Sequence, residues 1–127
     1  MAQTTDVPRS FHLQLLPLKA VPHQIINVEL MSYTHQQQTL YQQSLVSLGA
    51  ETELPATTDD KDVTIAVLEG CGNLTLNQDV VTLDLGVFVF IPAYTSYSLQ
   101  TQTYLTLLLN HSEPDPSLHE SSWLINL

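Results

Sequence analysis

The sequence predicts an all-β domain, a sandwich or a barrel. Apolar residues alternate with period two far more than with period 3.6. Strand-like runs recur about every 8–12 residues from Gly49 to Asn110, with turn signals between them. No amphipathic stretch of about ten residues separates these runs, which argues against a parallel α/β sheet.

Ile25–Tyr33 and Ser44–Leu48 are the first strand candidates. Between them His35–Gln43 is rich in Gln and reads as a loop or a polar edge strand; its Gln cluster suits a polar interface or an edge protected from aggregation. Val63–Leu68 reads as a buried strand, and Asn73–Leu76 alternates after it. The intervening Glu69-Gly70-Cys71-Gly72 offers the positive φ of a tight turn, so these two runs are expected to form a hairpin. Asn77-Gln78-Asp79 is a turn signal before a third strand, Val80–Leu85. After Gly86, Val87–Ile91 is a β-branched and aromatic run stopped by Pro92. Tyr97–Gln100 and Tyr104–Leu109 complete the series. Residues 1–24 hold Pro8, Pro17 and Pro22 and read as an extended arm. Glu113-Pro114-Asp115-Pro116 breaks the chain. The apolar Trp123-Leu124-Ile125-Asn126-Leu127 is expected to pack on the barrel or on a second subunit.

Composition narrows the function. The 127 residues suit one domain with a core that needs no staples. Three basic residues against thirteen acidic ones give a formal charge of −10 at pH 7. Nucleic acid and anionic membrane surfaces are bound through Lys/Arg-rich patches, so neither is an expected partner. An anionic ligand has only Arg9, Lys19 and Lys61 to pair with. The single cysteine, Cys71, permits neither an intrachain disulfide nor a Cys-based zinc site. No leader or membrane-spanning pattern is evident, and a cytoplasmic location is expected.

From Gly49 to Asn110 the sequence resembles the cupin family. Val67-Leu68-Glu69-Gly70-Cys71-Gly72-Asn73-Leu74-Thr75-Leu76 is similar to the family's V-L-x-G-x-G-x-L-x-L segment, and Gly86-Val87-Phe88-Val89-Phe90-Ile91-Pro92-Ala93 to the start of its second motif. The resemblance implies a double-stranded β-helix, or jelly-roll, barrel with an N-terminal arm: arm 1–24, barrel 25–112, tail 113–127. It also implies a homodimer, and a metal or small molecule in the barrel.

The departures from the pattern bear on function. Where the second motif has Gly and then His, this chain has Tyr94 and Tyr97. Anchored on Gly70, the Glu of the first motif falls at Val63 and its two His at Thr57 and Asp59, or one residue earlier at Ala56 and Thr58. No histidine stands at any of these places. A divalent transition metal needs converging imidazoles or several carboxylates, so no metal and no cofactor are expected.

The candidate ligand-binding residues are therefore Tyr97, Asp59, Thr57, Val63 and His111, the last following the final barrel strand. No catalytic residue is assigned. Tyr97 is expected to fill the space of the missing metal with its hydroxyl bonded to a neighbour. Asp59-Asp60-Lys61-Asp62 reads as a solvated acidic loop, and Cys71 as an ordinary turn residue. The function expected is a metal-free binding module for a small, non-anionic molecule. The alternatives are a metal-independent sugar isomerase or epimerase using Tyr97 as acid with His111 or Asp59 as base, and a structural or regulatory module with a filled barrel.

Overall fold

The computed structural model describes residues 19–114. Arg9, His12, His119, the chain before residue 19 and the apolar tail lie outside this range. The described residues form nine strands and no helix. Among them, accordingly, no helix is long and apolar enough to cross a membrane. The strands are β1 (Ile25–His35), β2 (Gln38–Leu48), β3 (Thr52–Thr57), β4 (Asp62–Gly70), β5 (Gly72–Leu76), β6 (Asp79–Leu83), β7 (Phe88–Ile91), β8 (Tyr97–Thr101) and β9 (Leu105–Ser112).

Two antiparallel sheets face each other. The larger has the order β1-β2-β9-β4-β7 and the smaller β3-β8-β5-β6. Period two decides what lies between them. Val63, Ile65 and Val67 of β4 alternate inward, as do Leu105, Leu107 and Leu109 of β9, each at most 7% exposed. From the smaller sheet Leu74, Leu83 and Leu99 meet them, all fully buried. Each such side chain contributes roughly 1.5–3 kcal/mol relative to its exposed state.

Several expectations need correction. Val63–Leu68 and Asn73–Leu76 are not a hairpin, because β4 and β5 lie in different sheets. The glycines between them serve a crossing of chains. Gly70 has φ +83°, and a Cβ on it would lie 2.1 Å from the Tyr104 carbonyl oxygen. A Cβ on Gly72 would lie 2.6 Å from that of Gln100. Cys71 thus sits at a bend between sheets, exposed, with its thiol 3.7 Å from the Thr103 hydroxyl. The true hairpin is β5–β6, closed at Leu76 and Asp79 around Asn77, whose φ is 56°.

Most of His35–Gln43 is neither a loop nor an edge. His35 ends β1, and Gln38–Gln43 belong to β2, which lies between β1 and β9. Gln36 and Gln37 form the two-residue turn with φ of 53° and 66°, the sign a primed hairpin turn requires at both places. Strand β3 escapes the hydrophobic reading because Thr-Glu-Leu-Pro-Ala-Thr does not alternate cleanly. It is an edge strand. Pro55 sits where its register with β8 shifts, between Leu54 and Thr57, a place where a missing N–H costs little.

Candidate functional site

One end of the barrel gathers the residues that the motif spacing singles out. Thr57, the last residue of β3, is in register with Tyr97, the first of β8. Val63 near the start of β4 is in register with His111 near the end of β9. Asp59 lies in the loop between β3 and β4, which folds over the same end.

Asp59 is the hub of this end. Its Oδ2 is 3.2 Å from His111 Nε2. Its Oδ1 accepts the Lys61 backbone N–H at 3.0 Å. Its carbonyl accepts the Tyr94 N–H at 2.7 Å. Tyr94 keeps the left-handed backbone of the glycine it replaces, with φ 66°, a conformation that costs a non-glycine residue energy. One aspartate thus ties the β3–β4 loop to β9 and to the β7–β8 loop. The two side chains are half-buried, His111 20% and Asp59 30% exposed.

The acidic run is not a simple solvated loop. Asp62 opens β4, is only 2% exposed, and accepts the Ala93 N–H on Oδ1 at 2.8 Å. Lys61 places its ammonium 3.0 Å from Glu113 and 3.7 Å from Asp60. Its pKa is raised, first by the hydrogen bond to Glu113 and further by the charges of Asp60, Glu113 and Asp59. Sequence reasoning missed Lys61–Glu113 because the partners are far apart in the chain and meet only through the β4–β9 pairing.

Tyr97 does face inward, in the same cluster as Leu74, Leu99 and Ile91, and is 4% exposed. Burial pushes its pKa up and the nearby Asp59 carboxylate pushes it further, so the phenol stays neutral. Val63 is 1% exposed and stands beside His111 across the β4–β9 pairing. Thr57 is exposed at the rim. His23 and His35 stand apart, His23 beside Glu51 and His35 stacked on Tyr33.

The metal that the resemblance implies does not fit these residues. Among the described residues no group of three or more His, Cys, Asp and Glu could hold an ion. Of the places the motif spacing assigns to ligands, Val63 offers no donor, Tyr97 resists ionisation, and both oxygens of Asp59 are already engaged. One carboxylate with one imidazole falls short of the converging set a divalent transition metal needs.

No family model matches the sequence, and no curated protein matches it. Solved structures do. A conserved protein of unknown function from Streptococcus pyogenes superposes with a TM-score of 0.67 at 17% identity, covering 86% of this chain and 92% of that one. A cupin superfamily protein from Desulfitobacterium hafniense gives 0.67 at 18%, covering 84% and 94%. An RmlC-like cupin from Desulfovibrio desulfuricans gives 0.64 at 19%, covering 86% and 100%. Likeness at these identities concerns architecture: the chain has the cupin fold, a jelly-roll barrel of two antiparallel sheets.

Proposed function

We propose that this chain is a metal-free cupin-fold binding module, non-catalytic, which takes a small non-anionic molecule at the barrel mouth beside Asp59, Tyr97 and His111. The observation that carries this reading is the replacement of the metal-ligand constellation by a polar cluster with unfilled hydrogen-bonding capacity. Among the described residues the buried His111 Nδ1 has no hydrogen-bond partner. Buried polar atoms in folded proteins are nearly always paired, and an unpaired one invites a ligand or a water. Below this cluster the aliphatic side chains of β4, β5, β8 and β9 fill the barrel, so the ligand sits at the mouth and is small.

Anions are disfavoured. The ammonium of Lys61 is held by Glu113, and that of Lys19 lies 4.4 Å over the Tyr104 ring. The isomerase reading needs a proton relay between Tyr97 and a base; Asp59 bears on Tyr97 through its charge, while its Oδ2 is turned to His111 at 3.2 Å, which weighs against that reading. The filled-barrel module is the second reading, favoured by the same aliphatic cluster.

A fragment screen read by backbone amide NMR tests the proposal. Weak binders are expected to shift the amides of residues 57–62, Tyr97 and His111 together. A screen in which no fragment moves this set would leave the filled-barrel module standing instead.

A further inference from the structure

The larger sheet has a second face, turned away from the core. On β2 Val46 and Leu48 join the core between the sheets, so Leu45 and Ser47 point outward, yet each is only 1% exposed. On β9 Leu105 and Leu107 face the core and Thr106 points outward, at 0% exposure. Ser47 is in register with Thr106, and Thr106 with Glu69 of β4. The irregularity between Val67 and Glu69 is what turns Glu69 to this side. The next outward row, Val28–Leu45–Leu108–Ala66–Phe88, is apolar and crosses all five strands in register. Neighbouring strands flank Leu45 and Thr106 but do not roof them.

The chain reaches this face just before β1. Ala20, 8% exposed, donates its N–H to Ser47 Oγ at 3.1 Å. A Cβ on Gly49 would lie 1.8 Å from the Val21 carbonyl oxygen, so residues 20 and 21 press against the end of β2. One residue upstream, the Lys19 ammonium lies 4.4 Å over the ring of Tyr104, which precedes β9. Followed backwards, the chain heads from β2 over β9 towards β4. On that line two polar atoms are buried without a hydrogen-bond partner among the described residues, Thr106 Oγ1 and Glu69 Oε1. Buried polar atoms are nearly always paired, and an extended backbone offers a donor and an acceptor at every residue but proline.

The sequence upstream matches this surface. In Phe11-His12-Leu13-Gln14-Leu15 apolar and polar residues alternate, the pattern of a strand with one buried face. Residues 9–19 hold Arg9 and Lys19, two of the three basic residues, and no acidic one. That charge suits a row containing the Glu69 carboxylate. Extended, residues 11–18 reach up to about 26 Å, against about 19 Å for the width of five strands.

We propose that residues 11–18 dock in the same chain across the outer face of the larger sheet, over Leu45, Leu108 and Ala66, with their backbone meeting Thr106 and Glu69.

A nitroxide attached to Gln14→Cys in the full chain, with Cys71→Ser to remove the native thiol, tests this by amide NMR. Gln14 lies on the polar side of the alternation, so the label leaves the apolar side free. The amides of Ala66, Glu69, Thr106 and Leu108 are expected to broaden well beyond those of Leu74 and Leu99, because the smaller sheet lies about 10 Å further away. Equal broadening of the two sheets, or none in either, would overturn the proposal. Adding Leu13→Ser and Leu15→Ser is expected to shift the docking equilibrium towards release by about tenfold or more per leucine, so the contrast between the sheets collapses. A contrast that survives both substitutions would overturn the apolar docking. Mixing the nitroxide-bearing chain with isotope-labelled chain free of nitroxide separates the copies. No broadening is expected in the isotope-labelled chain; the same pattern there would overturn docking within one chain and assign the face to the segment of a second copy.

Discussion

A phenol at the place of an imidazole changes what the barrel can do. Tyr97 is a weak metal ligand unless it ionises, and ionisation is opposed by burial and by Asp59. The same opposition gives a prediction about alkaline stability. The folded-state pKa lies above the unfolded value of about 10. The folded chain therefore holds this proton after the unfolded chain has lost it. The resulting stabilisation is complete below that unfolded value and is lost as pH rises through the folded one. In urea unfolding between about pH 9 and 11, wild type should lose stability faster than Tyr97→Phe, the difference approaching about 1.4 kcal/mol per pH unit. Parallel curves would mean that Tyr97 titrates alike in both states.

At the scale of elements, the glycines between β4 and β5 do different work from the one before β7. Gly70 combines φ +83° with the Tyr104 carbonyl at 2.1 Å from a would-be Cβ, whereas Gly86 combines φ +90° with open space. Gly86→Ala should cost about 1 kcal/mol, the backbone term alone. Gly70→Ala adds a clash with backbone and should cost about 3 kcal/mol or more, or prevent folding. Equilibrium denaturation of the two variants, side by side, checks the ranking. Equal costs would contradict the close crossing at Gly70. These residues also show where sequence reading reaches its limit. Alternation along Val63–Leu68, Asn73–Leu76 and Tyr97–Gln100 makes strands and inward faces legible. The partner of a strand is not legible, because a Gly-x-Gly bend and a hairpin turn share one composition. That is why β4 and β5 read as paired when they lie in different sheets. Pro55 hides β3, and polarity hides the Gln-rich start of β2. The candidate site is legible as positions, since motif spacing reaches Thr57, Asp59, Val63 and Tyr97. It is not legible as contacts: the Asp59–His111 and Lys61–Glu113 pairs depend on β4–β9 register.

Across the whole molecule, a charge of −10 coexists with a barrel interior made of Leu, Val and Ile. Acidic residues abound, yet the fold brings just one of them to the places where the motif spacing puts ligands. Asp59 there spends its oxygens on an imidazole and a backbone N–H. The acidity of this end thus comes without the convergent donors of a metal centre. Equilibrium dialysis of the full chain against zinc(II) and, anaerobically, iron(II), with metal measured by mass spectrometry, tests this most directly. Well under about 0.1 equivalent should be retained after exchange into metal-free buffer, as expected where too few ligands converge. Retention of one equivalent, lost in Asp59→Asn and in Tyr97→Phe, would contradict the metal-free reading.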